Sequence, residues 1–238
     1  MYGYGYGYGY YGFDWTYMLL IIGMLLSLTA SAKLKSTFSY YRRIRSASGL
    51  TGAETAKRIL QAAGITDVHV RAISGSLTDH YDPRTKTVSL SEDIYGQTSL
   101  AAVGVAAHEC GHAIQHAIGY APLEFRSAIV PVANFGSTLS WPLFLIGLFS
   151  GIRPLVTAGI VLFSLAVLFQ LVTLPVEINA SSRALKMLQS TGILGTDETR
   201  GARKVLTAAA MTYVAALAAS ILQLLRLLIL AGGRRRDD

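Results

Sequence analysis

The sequence has few of the features on which soluble or secreted domains depend. Among 238 residues there is one cysteine, Cys110, which excludes an intramolecular disulfide framework and is typical of a reducing compartment. Charged residues make up only 15% of the chain, whereas 52% of the residues are hydrophobic, more than is usual for a soluble domain. The apolar residues 16–32 have no basic flank before them and no small-residue cleavage site after them, which argues against a cleavable signal. The composition therefore predicts an integral membrane protein with an uncleaved first anchor.

The hydrophobic residues are clustered in stretches long enough, or nearly so, to cross a bilayer, which needs about 20 apolar residues. We therefore predict four membrane-spanning helices, over residues 16–32, 128–150, 154–174 and 207–231. Only Gly151, Ile152 and Arg153 separate the second stretch from the third, and Pro154 follows, which predicts a tight helical hairpin. Both outer ends of that hairpin must face the same compartment.

The basic residues lie beside apolar stretches, so membrane orientation rather than nucleic-acid binding accounts for the net charge of +7. No basic residue precedes the first span, whereas many follow it or follow the hairpin: Lys33, Lys35, Arg42, Arg43, Arg45, Arg183, Lys186, Arg200, Arg203 and Lys204. The positive-inside rule then places the N-terminus outside and residues 33–127 in the cytosol. Arg234, Arg235 and Arg236 disagree, because four spans place the C-terminus outside. Either the last stretch is not a full span or the earlier, stronger signal decides the orientation, and the earlier signal is preferred.

The segments outside the spans differ in character. Residues 1–15 form a Tyr/Gly-rich tail whose tyrosines are expected at the membrane interface, with self-association as the alternative. Residues 33–127 are predicted to be a cytosolic region. Residues 175–206 are predicted to be a cytosolic helical segment, and 232–238 a charged tail.

The region 33–127 carries its own secondary-structure signals. Thr51 followed by Glu54 is a capping-box pattern, which predicts a helix that Gly64 closes. Apolar residues that alternate with polar ones predict two strands, over residues 67–73 and 86–90. A later run rich in small residues predicts another helix, over residues 97–119. We therefore expect a mainly α membrane protein with about four transmembrane helices and a small α+β region.

The helix predicted over 97–119 contains the pattern H-E-x-x-H at His108, Glu109 and His112. Histidines four residues apart project from one face of a helix, about one turn from each other, and can converge on one zinc ion. Glu109 then lies within reach of a zinc-bound water as a general base. The pentapeptide also occurs by chance, so its context must support a zincin-like metallopeptidase site.

A catalytic zinc needs a third protein ligand and an open position for water. His116 lies two turns beyond His108 on the same helix, roughly 12 Å along the axis, so packing or indirect support is its default role. Glu177 is the better candidate, because it follows the hairpin on the same side of the membrane as the His108 helix. A solvated cap at the end of a span is the alternative for Glu177. If Glu177 is the third ligand, it forms a gluzincin-like His₂Glu set with His108 and His112.

A peptide substrate would have to be held extended beside this site. The segment Leu77–Tyr81 is a candidate strand edge to which a peptide could add as an extra strand. His80 could donate a hydrogen bond to the developing oxyanion. The structural alternative is that Asp79, His80 and Asp82 hold the turn together.

Three separate blocks, residues 77–83, 106–116 and 174–184, together resemble the YugP-like neutral zinc metallopeptidase family of bacterial membrane proteins. More distantly, the layout is similar to the HtpX and Ste24 membrane peptidases. The resemblance implies Zn²⁺ bound through His108, His112 and Glu177, with Glu109 as catalytic base. Those distant relatives place an Asp four residues after the ligand Glu, whereas this chain has Ser181. The carboxylate that would orient a metal-bound histidine must therefore come from elsewhere, with Asn179 as a weaker substitute, or be missing.

The leading hypothesis is a membrane-integrated, zinc-dependent endopeptidase of the bacterial plasma membrane whose active site faces the cytosol. Its partners are a protein or peptide substrate and the lipid bilayer, with a homo-oligomer or membrane partner protein permitted and no nucleic acid expected. Two alternatives stay open: an intramembrane, site-2-like protease, if residues 99–119 lie within the bilayer, and a non-catalytic membrane scaffold that uses zinc for stability.

Overall fold

The computed structural model describes residues 14–233 as seven helices and three short strands. In chain order these are α1 (Tyr17–Tyr41), α2 (Gly52–Ala62), β1 (His69–Ile73), β2 (His80–Asp82), β3 (Thr87–Ser91), α3 (Glu92–Tyr95), α4 (Leu100–Ala117), α5 (Ala121–Ser150), α6 (Arg153–Ser190) and α7 (Thr196–Gly233). The predicted Tyr/Gly-rich tail, apart from its last two residues, and the charged tail from Arg234 onwards lie outside the described residues.

Four helices, α1, α5, α6 and α7, are long and apolar enough to cross a membrane, which confirms the predicted mainly α membrane protein. Helices α5, α6 and α7 are longer than the apolar stretches that predicted them, with 30, 38 and 38 residues. An apolar stretch marks only the part of a helix that is suited to lipid. These three helices continue beyond their apolar stretches into segments with more polar residues. Gly151 joins α5 to α6 at φ 75°, a left-handed conformation that glycine adopts readily.

The long helices run antiparallel, so their ends fall into two groups. At one end, the Arg226 Nε of α7 donates a hydrogen bond to Thr16 Oγ1 (3.3 Å), and its guanidinium lies over the Tyr17 ring. The α5–α6 turn at Gly151 lines one cavity together with Gly232 of α7, so the hairpin turn lies at that same end. The C-terminal ends of α1 and α6 and the N-terminal ends of α5 and α7 are therefore at the opposite end.

The small α+β region packs against this opposite end of the bundle. One hydrophobic core joins α2, β3, α3 and α4 to the adjoining turns of the long helices, and its buried members include Phe38, Ile59, Leu90, Ile94, Val103, Leu188 and Val205. Burial of such side chains is the main source of stability in a core. The long helices thus supply part of the wall of the region that carries the H-E-x-x-H motif.

The sheet has the strand order β1-β3-β2, with β3 buried in the centre. Strand β1 pairs parallel to β3, whereas β2 pairs antiparallel to β3 and forms an edge. The strands predicted over 67–73 and 86–90 correspond to β1 and β3. The segment predicted as a strand edge contributes only its last two residues, His80 and Tyr81, to β2, because Leu77 has a φ of 57° that no strand can contain.

Candidate metal centre

Helix α4 is positioned by a cap and by close packing along its whole length. The Ser99 hydroxyl accepts a hydrogen bond from the Ala102 amide (3.1 Å) and so caps the N-terminus. The predicted capping box of α2, between Thr51 and Glu54, is also present, and α2 packs against α4. The small residues of α4 are almost all buried, so neighbouring helices approach its backbone closely. The helix therefore presents His108 and His112 at a fixed position.

Gly111 brings α4 and α6 into near contact beside the two histidines. A Cβ atom at Gly111 would lie 2.4 Å from the Ala180 carbonyl oxygen of α6, a distance that no side chain tolerates. Glu177 lies three residues before Ala180, less than one turn along α6. The absence of a side chain at Gly111 therefore lets the Glu177 carboxylate reach the His108 and His112 rings.

The three side chains that the sequence suggested as ligands lie together. The Glu177 Oε2 atom is 3.2 Å from His108 Nε2 and 3.6 Å from His112 Nε2. Two ligands of a tetrahedral zinc, each roughly 2.1 Å from the metal, lie about 3.4 Å apart. These spacings, with all three ligand atoms within 4.8 Å of one another, fit a single zinc ion.

Glu177 is buried and its two carboxylate oxygens have different neighbours. Arg126 Nη1 of α5 donates a hydrogen bond to Oε1 (2.9 Å), while Oε2 faces the histidines. Tyr213 of α7 lies beside Glu177 in the same cavity. Because Arg126 occupies one oxygen, the other is left to bind a metal through a single bond.

Neutral side chains hold both imidazole rings. Gln115 Oε1 accepts a hydrogen bond from His112 Nδ1 (3.0 Å), and Ser181 Oγ lies 3.1 Å from His108 Nδ1. These contacts place the proton on Nδ1 when each Nε2 binds a metal.

Gln115 is itself anchored in α6, where its Nε2 donates to the Val176 carbonyl and to Asn179 Oδ1, both at 2.9 Å. Asn179 therefore orients Gln115 rather than a histidine, in contrast to its suggested role as the direct substitute. The serine that replaces the expected Asp at 181 itself contacts the ring of His108.

Glu109 points into a cavity of about 170 Å³ that also exposes His108 and Glu177. Burial raises the pKa of the Glu109 carboxyl, while the neighbouring His108 and His112 act in the opposite direction. The rest of the wall is largely apolar and includes Leu34, Phe38, Val105, Val205, Leu206 and Ala209. Glu109 is thus a buried carboxylate next to the three ligand atoms, in a pocket suited to an apolar side chain.

His80 does not line this cavity. It is exposed, and its Nδ1 contacts the Thr78 carbonyl oxygen at 2.9 Å, so its proposed contact with an oxyanion stays a prediction. Its neighbours Leu77 and Asp79 do line the cavity. Asp79 accepts hydrogen bonds from the Ser91 amide and hydroxyl at 2.7 and 3.0 Å, and its burial raises the pKa of the carboxyl.

Two other polar groups of α4 face away from the ligand set. The His116 Nδ1 atom is 2.8 Å from the Tyr81 hydroxyl, so this histidine joins α4 to β2. Cys110 is buried against α2, where its thiol contacts the Ala56 carbonyl oxygen, and burial raises the pKa of that thiol. Neither side chain belongs to the group that can hold a metal within residues 14–233.

The sequence alone does not identify Gln115, Arg126 and Tyr213 as parts of this site. Gln115 follows His112 by three residues, the spacing of one helix face, which is a usable signal. Arg126 is a cation at the start of an apolar helix, and such residues are often functional. Tyr213 carries no comparable signal, because only the packing of α7 brings it to Glu177.

The chain matches known proteins along nearly its whole length. Residues 16–232 match a family model described as "Putative neutral zinc metallopeptidase". The chain is 49% identical over 217 residues to the "Putative membrane protease YugP" of Bacillus subtilis (strain 168). The aligned residues cover 91% of this chain and 96% of that protein. No solved structure matches the chain. The matched range contains α1 to α6, α7 up to Gly232, all three strands and the candidate ligands, and the chain belongs to the neutral zinc metallopeptidase family, whose cofactor is Zn²⁺.

Proposed function

We propose that the protein is a membrane-integrated, zinc-dependent endopeptidase of the bacterial plasma membrane. His108, His112 and Glu177 hold the zinc ion, and Glu109 is the general base. The observation that carries this proposal is the convergence of three ligand atoms within 4.8 Å, beside a cavity into which Glu109 also projects.

A zinc ion in this site would polarise the scissile carbonyl and acidify a bound water. Glu109 takes a proton from the attacking water and passes it to the leaving amine, so no covalent intermediate with the protein is needed. Gln115 and Ser181 keep the rings of His112 and His108 in a fixed orientation during this transfer.

The substrate is an extended peptide that pairs with the free edge of β2. In this arrangement main-chain hydrogen bonds bind the peptide and the apolar cavity accepts one side chain next to the scissile bond. Leu77 and Asp79, which precede β2, line that cavity, so the segment just before this strand and Glu109 border the same space.

The active site lies at the membrane surface rather than inside the bilayer. Twenty-four residues separate Arg153 from Glu177 along α6, a rise of about 36 Å. The hydrocarbon core is about 30 Å thick, so α6 can cross it before it reaches Glu177. This length favours a membrane-surface protease over the site-2-like alternative.

The same end of the bundle carries most of the basic residues that flank the spans, which favours a cytosolic active site. Lys33 and Lys35 of α1, Arg183 and Lys186 of α6 and Arg203 of α7 all lie near this end. The substrates are then membrane proteins or proteins held near the membrane.

The test compares Glu109→Gln with Glu177→Ala in detergent-purified protein. We expect about one zinc per chain in wild type and in Glu109→Gln, and little in Glu177→Ala, by elemental analysis. A panel of quenched fluorescent peptides with apolar residues should be cleaved by wild type and by neither variant. Chelator should abolish cleavage, and added Zn²⁺ should restore it.

Glu92→Gln is a matched control, because it removes a carboxylate from α3 that does not line the metal cavity. It should keep both zinc and cleavage. Zinc binding without cleavage of any peptide, with unchanged folding in Glu109→Gln, would favour the scaffold alternative. Unchanged zinc content in Glu177→Ala would exclude Glu177 as the third ligand.

A further inference from the structure

A second cavity lies between α1 and α7, on the side of this helix pair that faces away from the metal site. We call it the α1–α7 groove; its volume is about 620 Å³, and its walls include Lys33, Tyr40, Tyr41, Arg203, Lys204 and Met211. The metal cavity uses other residues of the same helices, such as Leu34 and Phe38 of α1 and Leu206 and Tyr213 of α7. The two cavities therefore share helices but no lining residue.

The groove concentrates positive charge that nothing nearby neutralises. Lys33, Arg203 and Lys204 line it, and no Asp or Glu does. Within residues 14–233 none of these three forms an ion pair, in contrast to the neighbouring Arg200, which pairs with Asp197 at 3.0 Å. Cations gathered around a concave surface produce a strong local field and attract an anion.

The level of the groove matches that of lipid headgroups. The apolar part of α1 ends just before Lys33, and the apolar part of α7 begins just after Lys204, so these charges stand where the two spans leave the hydrocarbon. Tyr40 and Tyr41 supply the aromatic rings typical of the interface. Ala208 and Met211 lie one and two turns further along α7, towards the membrane, and give the groove an apolar floor.

We propose that the α1–α7 groove binds an anionic phospholipid, with the headgroup phosphate held by Lys33, Arg203 and Lys204 and the acyl chains against Ala208 and Met211. Basic pockets between transmembrane helices on the cytoplasmic side bind anionic headgroups in this way. A free phosphate ion would satisfy the charges but leave the apolar floor uncovered, so the lipid is the better occupant.

The experiment measures displacement of fluorescently labelled phosphatidylglycerol from the full-length protein in nonionic detergent. Unlabelled phosphatidylglycerol should displace the probe, and phosphatidylcholine should do so at least about tenfold less well, because its headgroup has no net charge. Inorganic phosphate at millimolar concentration should leave the probe bound. The triple variant Lys33→Gln, Arg203→Gln, Lys204→Gln should bind the probe about tenfold or more weakly.

The matched control removes the same charge from nearby positions outside the groove, through Lys35→Gln, Arg43→Gln and Lys186→Gln, and should bind the probe like wild type. Equal weakening in both triple variants, or equal binding of the two lipids, would overturn the proposal. Displacement by inorganic phosphate would do the same and indicate a simple phosphate site. If the groove triple variant is not monodisperse, Arg203→Gln alone provides the test, with a smaller loss expected.

Discussion

At the residue scale, two neutral side chains hold the histidines of the candidate metal site. A carboxylate beside a metal-bound imidazole raises the basicity of the ring, whereas Gln115 and Ser181 can only orient it. The buried Gln115 amide is fully used, with contacts to His112, Val176 and Asn179. Orientation of the His112 ring is thus built into the contact between α4 and α6.

Replacement of Gln115 by Leu should weaken zinc binding about 10- to 100-fold, because His112 loses the acceptor that fixes its Nδ1 proton. Competition with a zinc chelator of known affinity measures this change. Gln115→Glu restores an acceptor for His112 but has no donor for the Val176 carbonyl and Asn179 Oδ1, so it should recover only part of the affinity. Wild-type affinity in Gln115→Leu would show that the ring is held by other contacts.

Tyr213 and His80 are two candidates for stabilising the oxyanion, and their positions favour Tyr213. Tyr213 lines the metal cavity beside Glu177, whereas His80 lies outside it and is exposed. We expect Tyr213→Phe to lower kcat roughly 10²-fold with zinc content unchanged, and His80→Ala to change kcat little. A loss of zinc in Tyr213→Phe would instead assign the hydroxyl to support of Glu177.

At the element scale, the site depends on how closely α4 approaches α6. A Cβ at position 111 would come within 2.4 Å of the Ala180 carbonyl oxygen, and that oxygen belongs to the helix backbone and cannot turn aside. The distance between the His108 and Glu177 side chains follows from this contact.

Gly111→Ala should therefore push the helices apart, destabilise the fold by about 1–3 kcal/mol and reduce zinc content. Thermal unfolding and elemental analysis measure the two effects. Gly96→Ala is the control, because a Cβ at Gly96 meets no atom within 4 Å and its φ of −97° suits alanine. Equal behaviour of the two variants would refute the close-approach argument.

Secondary structure within single segments could be predicted from the sequence, because its signals are local. The Thr51–Glu54 capping box, the strands β1 and β3 and the H-E-x-x-H helix all rest on residues within a few positions of one another. Glu177 could be suggested from its place after an apolar stretch and from the family resemblance. The contacts of Arg126 and Tyr213 could not, because they depend on how α5 and α7 pack beside α6. The full lengths of α5, α6 and α7 could not be predicted from hydropathy either, because hydropathy detects only the lipid-facing part of a helix.

At the scale of the whole molecule, the fold places the candidate metal site and the α5–α6 turn at opposite ends of the helical bundle. Positive-inside charge predicts that the site faces the cytosol and that residue 152, in the turn, faces outward. Cys110, the single cysteine of the sequence, is fully buried, so wild type should give no background in thiol labelling.

Single cysteines at Ile152 and Arg84 test this orientation, because both positions are exposed and they lie in the hairpin turn and in the β2–β3 turn. A membrane-impermeant maleimide should label Ile152→Cys in intact spheroplasts and Arg84→Cys only after permeabilisation. The reverse pattern would place the active site outside, and labelling of both in intact spheroplasts would contradict a membrane barrier between them.

X-ray absorption at the zinc edge of the purified protein shows whether His108, His112 and Glu177 bind one zinc ion. We predict a four-coordinate zinc with two imidazole nitrogens and oxygen ligands at roughly 2.0–2.2 Å, one of those oxygens being lost or replaced by water in Glu177→Ala. A sulfur ligand at about 2.3 Å, or a spectrum without imidazole scattering, would contradict the site described for this chain.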